Sequence, residues 1–141
     1  MFNHKSHKRF YDYTVILTDL TYKINGACIE VHKISGAGLL ESVYHKCLEE
    51  EFRLKNINFK SELKVPVIYK GKEINCDFLL EDLIVVELKS VAEFNDIHRS
   101  QILNYINLMK KPKGILVNFN VKNLYHEGQE TFVNKYYNML F

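Results

Sequence analysis

Glu87-Leu88-Lys89 places a carboxylate and an ammonium two residues apart in the run Leu83 to Lys89, which is otherwise apolar and largely β-branched. Residues two apart in a strand project from the same face, so the two charges stand side by side. A run of this composition suits a central strand covered on both faces, where an unpaired charge is costly. Ten residues upstream, across the acidic turn Glu81-Asp82, lies Asp77. If the hairpin loop is Glu81-Asp82-Leu83, Asp77 lies opposite Glu87 on one face, and a slip by one residue separates them. Two carboxylates that close repel unless a proton or a cation sits between them, and hard oxygen ligands with open positions suit Mg²⁺ or Mn²⁺. Lys89 would then stand beside a metal-bound water and a substrate phosphate.

The elements that must hold these residues follow from periodicity. From Thr18, read as an N-cap, to about Ser35, the residues Leu20, Ile24, Ala27, Cys28, Val31 and Ile34 form one helical face. Ser35-Gly36-Ala37-Gly38 ends that helix. A second follows, with Leu40, Val43, Tyr44, Cys47, Leu48 and Phe52 as its stripe. Val65, Val67 and Tyr69 then alternate as a strand, Pro66 marking an edge. Lys70-Gly71-Lys72 turns the chain and Glu73 to Leu80 returns it. Asn95 or Asp96 can cap a third helix running to about Lys110, with Ile102, Tyr105, Ile106 and Met109 inward. Ile115 to Phe119 is a strand which, after strand and helix, should lie parallel to the one before by a right-handed crossover. In the tail, Phe132, Val133, Tyr136, Tyr137, Leu140 and Phe141 suggest a short amphipathic helix docked on the body or on a second subunit. The fold class is therefore α/β, a small mixed sheet flanked by helices.

Asp77 followed by Glu87-x-Lys89 resembles the D-x(n)-(D/E)-x-K signature of the PD-(D/E)XK nuclease superfamily. Gly38-Leu39-Leu40-Glu41-Ser42-Val43-Tyr44 resembles the motif that names the small GxxExxY proteins of that superfamily. The likeness spans Leu20 to Phe119, and the order GxxExxY helix, carboxylate strands, Gln-x-x-x-Tyr helix is more specific than the Asp and Glu-x-Lys triplet alone. Cys76 stands where the superfamily prefers Pro. The resemblance implies a restriction-endonuclease-like core. It implies Asp77 and Glu87 as metal ligands, with Glu41 adding a carboxylate directly or through water. It implies Lys89 as the group that orients the attacking water or neutralises the phosphate, and Mg²⁺ as cofactor with Mn²⁺ as substitute. Hydrolysis of phosphodiesters in DNA is the activity it implies. A non-catalytic nucleic-acid- or protein-binding module that keeps the nuclease fold is the alternative.

Glu41 also reads as an exposed first-turn Glu favoured by the helix dipole. His98, Gln101 and Tyr105 line one stripe of the third helix. Gln101 could serve a base, a phosphate or the catalytic water, and Tyr105 could stack or donate its hydroxyl; equally, Tyr105 is core and Gln101 caps a buried polar group. His98 is a substrate contact or a solvated first-turn His. Cys28 and His32, four apart on a helix, have no second pair to complete a metal site and are assigned to packing. Lys60 to Lys72 and Lys110 to Lys113 could meet a phosphate backbone at the rim of the site, or be solvated turns.

The 141 residues make one domain, 47% hydrophobic and 26% charged, with six Gly and two Pro, which excludes collagen-like and disordered classes. Residues 1–17 are expected as a flexible basic N-terminal segment, where His4 and His7 lie among Lys5, Lys8 and Arg9, and 18–141 as a single nuclease-like domain. A net charge of +2 is too small to hold nucleic acid by bulk charge. It favours a homodimer or a larger DNA-processing complex. Three cysteines without a CxxC pair, and no apolar run long enough for a signal peptide or a membrane span, point to the cytoplasm.

Overall fold

The computed structural model describes residues 4–67 and 69–138, with the side chains of the first helix described from Tyr13 onward. The readings placed on His4, His7 and the first basic residues, and on Leu140 and Phe141, lie outside what is described. The chain runs α1 (His4–Ser35), α2 (Glu41–Leu54), β1 (Phe59–Pro66), β2 (Glu73–Leu80), β3 (Ile84–Lys89), α3 (Asp96–Leu108), β4 (Lys113–Asn118), α4 (Leu124–Glu127), β5 (Gln129–Val133) and α5 (Lys135–Asn138). The five strands form one sheet in chain order, antiparallel except for the β3–β4 pair, which is parallel. This is the expected α/β architecture, and β1 with its Pro66 is an edge strand.

Two cores sandwich the sheet. On one face Ile84, Val86 and Leu88 of β3 pack with Ile24 and Cys28 of α1 and with Tyr44, Leu48 and Phe52 of α2. On the other, Val85 packs with Val65, Cys76, Leu79 and the α3 residues Tyr105 and Ile106. Covered on both sides, β3 is buried from Ile84 to Leu88, as its near-continuous apolar run requires. Among the described residues no helix is long and apolar enough to cross a membrane.

Several expectations are corrected. Helix α1 begins at His4, not Thr18, whose hydroxyl instead donates back to the Thr14 carbonyl at 2.8 Å within the helix. No Pro or Gly interrupts the residues before Thr18, so nothing stops the helix there. Leu40 and Val43 are exposed, and His45 takes their expected place in the buried stripe of α2. The tail does not form one amphipathic helix. Phe132 and Val133 belong to β5, which pairs with the open edge of β4. Arg99 of α3 clamps that strand through Glu130, with Nε and Nη2 donating at 2.8 and 3.1 Å. Lys111 and Lys113 lie before and at the start of β4, opposite Ile84 and five residues from the Lys89 end. They therefore do not rim the carboxylates; Lys111 donates to Asp82 at 2.8 Å and Lys113 to the Thr21 hydroxyl at 2.7 Å.

Candidate active site

The β2–β3 hairpin has the three-residue loop Glu81-Asp82-Leu83, with Leu80 paired to Ile84, Leu79 to Val85 and Phe78 to Val86. One step further in this register Asp77 faces Glu87. There the backbone ladder gives way to side chains. The Asp77 amide donates to Glu87 Oε1 at 2.7 Å, and the Leu88 amide donates to Asp77 Oδ2 at 2.9 Å. The disturbance reaches the outer strand. The β1–β2 register is continuous except at Glu62, opposite Asp77, and Glu62 has φ of 51°. Cys76 and Leu79 join the α3-side core whereas Phe78 and Leu80 join the α1/α2-side core, so strict alternation breaks at Asp77. A break of this kind re-aims a side chain, and here it is the carboxylate.

Glu87 is 4% exposed. Burial, and then the negative charge of Asp77, push its carboxyl up to about 8, while Lys89 pulls the other way. The Cys76 thiol is likewise raised, first by burial and then by Glu87 and Asp77. Asp77 is more open, its side chain about 30% exposed. A buried carboxylate beside a solvent-facing one is negative charge in excess of its compensation, and Lys89 is in no ion pair among the described residues. No three His, Cys, Asp or Glu side chains among the described residues gather as a closed ligand set. Two oxygen donors with open positions nonetheless fit Mg²⁺, which keeps waters and takes substrate phosphates to complete its shell. Asp77 and Glu87 are the residues that would hold it.

Tyr44 accounts for the spacing of the motif at the start of α2. Fully buried and stacked on Phe119 at 4.4 Å, it donates its hydroxyl to the Gly36 carbonyl at 2.6 Å and accepts the Leu39 amide at 3.1 Å. Gly36 and Gly38 take φ of 74° and 90° in the turn so held. The latch delivers Glu41 to the end of β3, where its Oε1 lies 3.4 Å from the Ser90 amide, while the Ser90 hydroxyl donates to Leu39 at 2.7 Å. Glu41 thus meets the residue after Lys89 and does not join the Asp77–Glu87 pair directly.

On α3 Gln101 stands one turn before Tyr105, which packs with Cys76 and Val85 in the core beneath the carboxylates. Burial, and then the charges of Glu87, Cys76 and Asp77, push the Tyr105 hydroxyl up. His98 stands at the first turn of α3 in a capping box: Asn95 Oδ1 accepts the His98 amide and His98 Nδ1 accepts the Asn95 amide. Asn95 is therefore the cap. Cys28 and His32 form no pair. Cys28 is buried with its thiol pushed up to about 12, and His32 Nε2 lies 2.7 Å from the Val121 carbonyl oxygen.

Two residues at the site carried little sequence signal. His45, 7% exposed, is stacked on Phe78 at 4.2 Å, with Nδ1 3.9 Å from Asp77 Oδ1 and Nε2 3.5 Å from Glu49 Oε1. It stands between two carboxylates behind the site. Asn118, paired with Lys89 across the parallel ladder, accepts the Val91 amide at 3.1 Å and donates to the Val91 carbonyl at 2.9 Å. It pins the turn that leaves Lys89. A His on an apolar stripe reads as a core filler, and an Asn after a strand reads as a turn.

The model of the family described as the PD-(D/E)XK nuclease superfamily matches residues 18–131. Comparison with curated proteins and with solved structures gave no match.

Proposed function

Because the chain belongs to the PD-(D/E)XK nuclease superfamily, whose members are generally divalent-metal dependent, we propose that it is a Mg²⁺-dependent nuclease that hydrolyses phosphodiester bonds in DNA, of the GxxExxY type. The observation that carries this reading is the Asp77–Glu87 pair: two carboxylates at the break in the β2–β3 ladder, one buried and one open, with an unpaired Lys89 on the same strand. Mg²⁺ bound by Asp77 and Glu87 would supply Lewis-acid polarisation of the phosphate and a more acidic water. Lys89 orients the attacking water and offsets the negative charge that develops on the phosphoryl oxygens. Glu41, beside Ser90, would add a carboxylate, through water, to a metal held there. Gln101 holds the water or the scissile phosphate, and with Tyr105 one turn on it forms the α3 wall against which substrate lies. His98 keeps Nε2 for a flanking phosphate, its Nδ1 being engaged with Asn95.

Cleavage of plasmid and oligonucleotide substrates with Mg²⁺ or Mn²⁺ tests the reading. Wild-type protein should cut, and Asp77→Ala and Lys89→Ala should lose about a hundredfold or more in rate. No cleavage of any substrate, or unchanged cleavage in both variants, sinks it and leaves the binding-module alternative.

A further inference from the structure

A cleft of about 690 Å³ runs along α1, between that helix, the end of α2, the start of β4 and α4. Its volume is that of a ligand pocket. Lys23, Lys55 and Lys113 line it, and none of the described residues lining it is acidic. Neither Lys23 nor Lys55 is in an ion pair among the described residues. Lys113 donates to the Thr21 hydroxyl, is in no ion pair among the described residues and has its ammonium lowered by burial, so it gains from an anion. Tyr22 and Tyr125, 81% and 66% exposed, present aromatic faces to the same cleft. At Gly26 an added Cβ would meet nothing within 4 Å, so the middle of the cleft floor is open.

Ammonium groups and two exposed aromatic rings lining one cleft are the chemistry that takes a phosphate and stacks a base. We propose that this cleft is a second nucleotide site, with the phosphate on Lys55 and Lys113 and the base against Tyr22 and Tyr125. It is separate from the carboxylates: Lys113 opens β4 opposite Ile84, and Glu87 lies three residues further along, about 10 Å at strand rise. The nucleotide is a free one or a unit of a single strand passing the domain.

Binding is measured on the whole chain in EDTA, by fluorescence polarisation of a labelled single-stranded oligodeoxynucleotide and by calorimetry with adenosine monophosphate. Without metal, cleavage plays no part, so failure here and failure of the hydrolytic reading are distinct. Wild-type protein should bind. Lys55→Glu removes an exposed cation, and Gly26→Leu fills open space while favouring the helix; each should weaken binding about tenfold or more, equivalent to about 1.4 kcal/mol. Lys33→Glu, at an exposed cation of α1 outside the cleft, should leave it unchanged. Binding of both probes with that loss assigns a site for a free nucleotide, and binding of the oligonucleotide alone with that loss assigns a strand track. Absence of binding by both probes, or binding that survives Lys55→Glu and Gly26→Leu, overturns the proposal.

Discussion

The amide of Asp77 donates to Glu87 Oε1 at 2.7 Å, one step beyond the last backbone pair of the β2–β3 ladder. A side chain has replaced a carbonyl as the cross-strand acceptor, and the price is a carboxylate buried against another. Glu87 gains one charge-assisted hydrogen bond but loses its water, and burial is the larger effect.

That balance predicts a pH dependence for the metal-free protein. Glu87 is raised from 4.5 to about 8 in the fold. Between those values the native state holds a proton that the unfolded chain has released, so stability falls as pH rises through the window and levels off above it. The loss is on the order of a few kcal/mol. Glu87→Gln keeps the acceptor for Asp77 and abolishes the slope. Thermal unfolding in EDTA from acid to mildly alkaline pH should show the wild-type Tm declining against a flat variant. Parallel curves would refute the assignment.

Tyr44→Phe tests the latch at the glycine turn. The hydroxyl lost here serves both the Gly36 carbonyl and the Leu39 amide, and the ring stacking on Phe119 remains. Urea unfolding should show a loss of about 1–3 kcal/mol. A neutral result would mean that water replaces the hydroxyl and that Glu41 is held by Ser90 alone.

The parts of this arrangement written in local sequence were readable, and those written in tertiary contact were not. A three-residue loop fixes the hairpin register, so Asp77 opposite Glu87 follows from counting. Asn95 before an apolar period marks the start of α3 by the same local logic. Strand β5 is different. Gln129-Glu130-Thr131 has no strand composition of its own and is held by the open edge of β4 and by Arg99, thirty-one residues from Glu130. The break at Asp77 is likewise shared by two strands, through Glu62, which no single-strand pattern announces.

His45→Leu separates packing from polarity behind the site. The substitution keeps apolar bulk against Phe78 but removes the nitrogen 3.9 Å from Asp77 Oδ1. Ring partners of metal-binding carboxylates commonly tune affinity by about 10–100-fold. Calorimetric titration with Mn²⁺ should show weakening in that range, with the urea midpoint little changed. Unaltered Mn²⁺ affinity would make His45 a core residue only.

Gly128→Ala and Gly26→Ala form a matched pair in which the same added methyl should act in opposite directions. At Gly128 φ is −104°, which alanine accepts, so the effect is steric. The new Cβ would lie 2.6 Å from the Asn118 carbonyl oxygen and 2.7 Å from Leu124 Cδ1. The Gly128 carbonyl accepts the Asn118 amide at 2.7 Å, so the backbone cannot move away without breaking that bond. Asn118 in turn pins Val91, and relief of the clash must shift the turn that follows Lys89. Gly128→Ala should cost about 1–3 kcal/mol. Gly26 lies within α1 with open space around it, and Gly26→Ala should stabilise by up to about 1 kcal/mol through helix propensity. Chemical denaturation of both variants checks the signs. A neutral Gly128→Ala would show that the α4–β5 corner yields independently of Asn118, and that Lys89 is positioned by β3 alone.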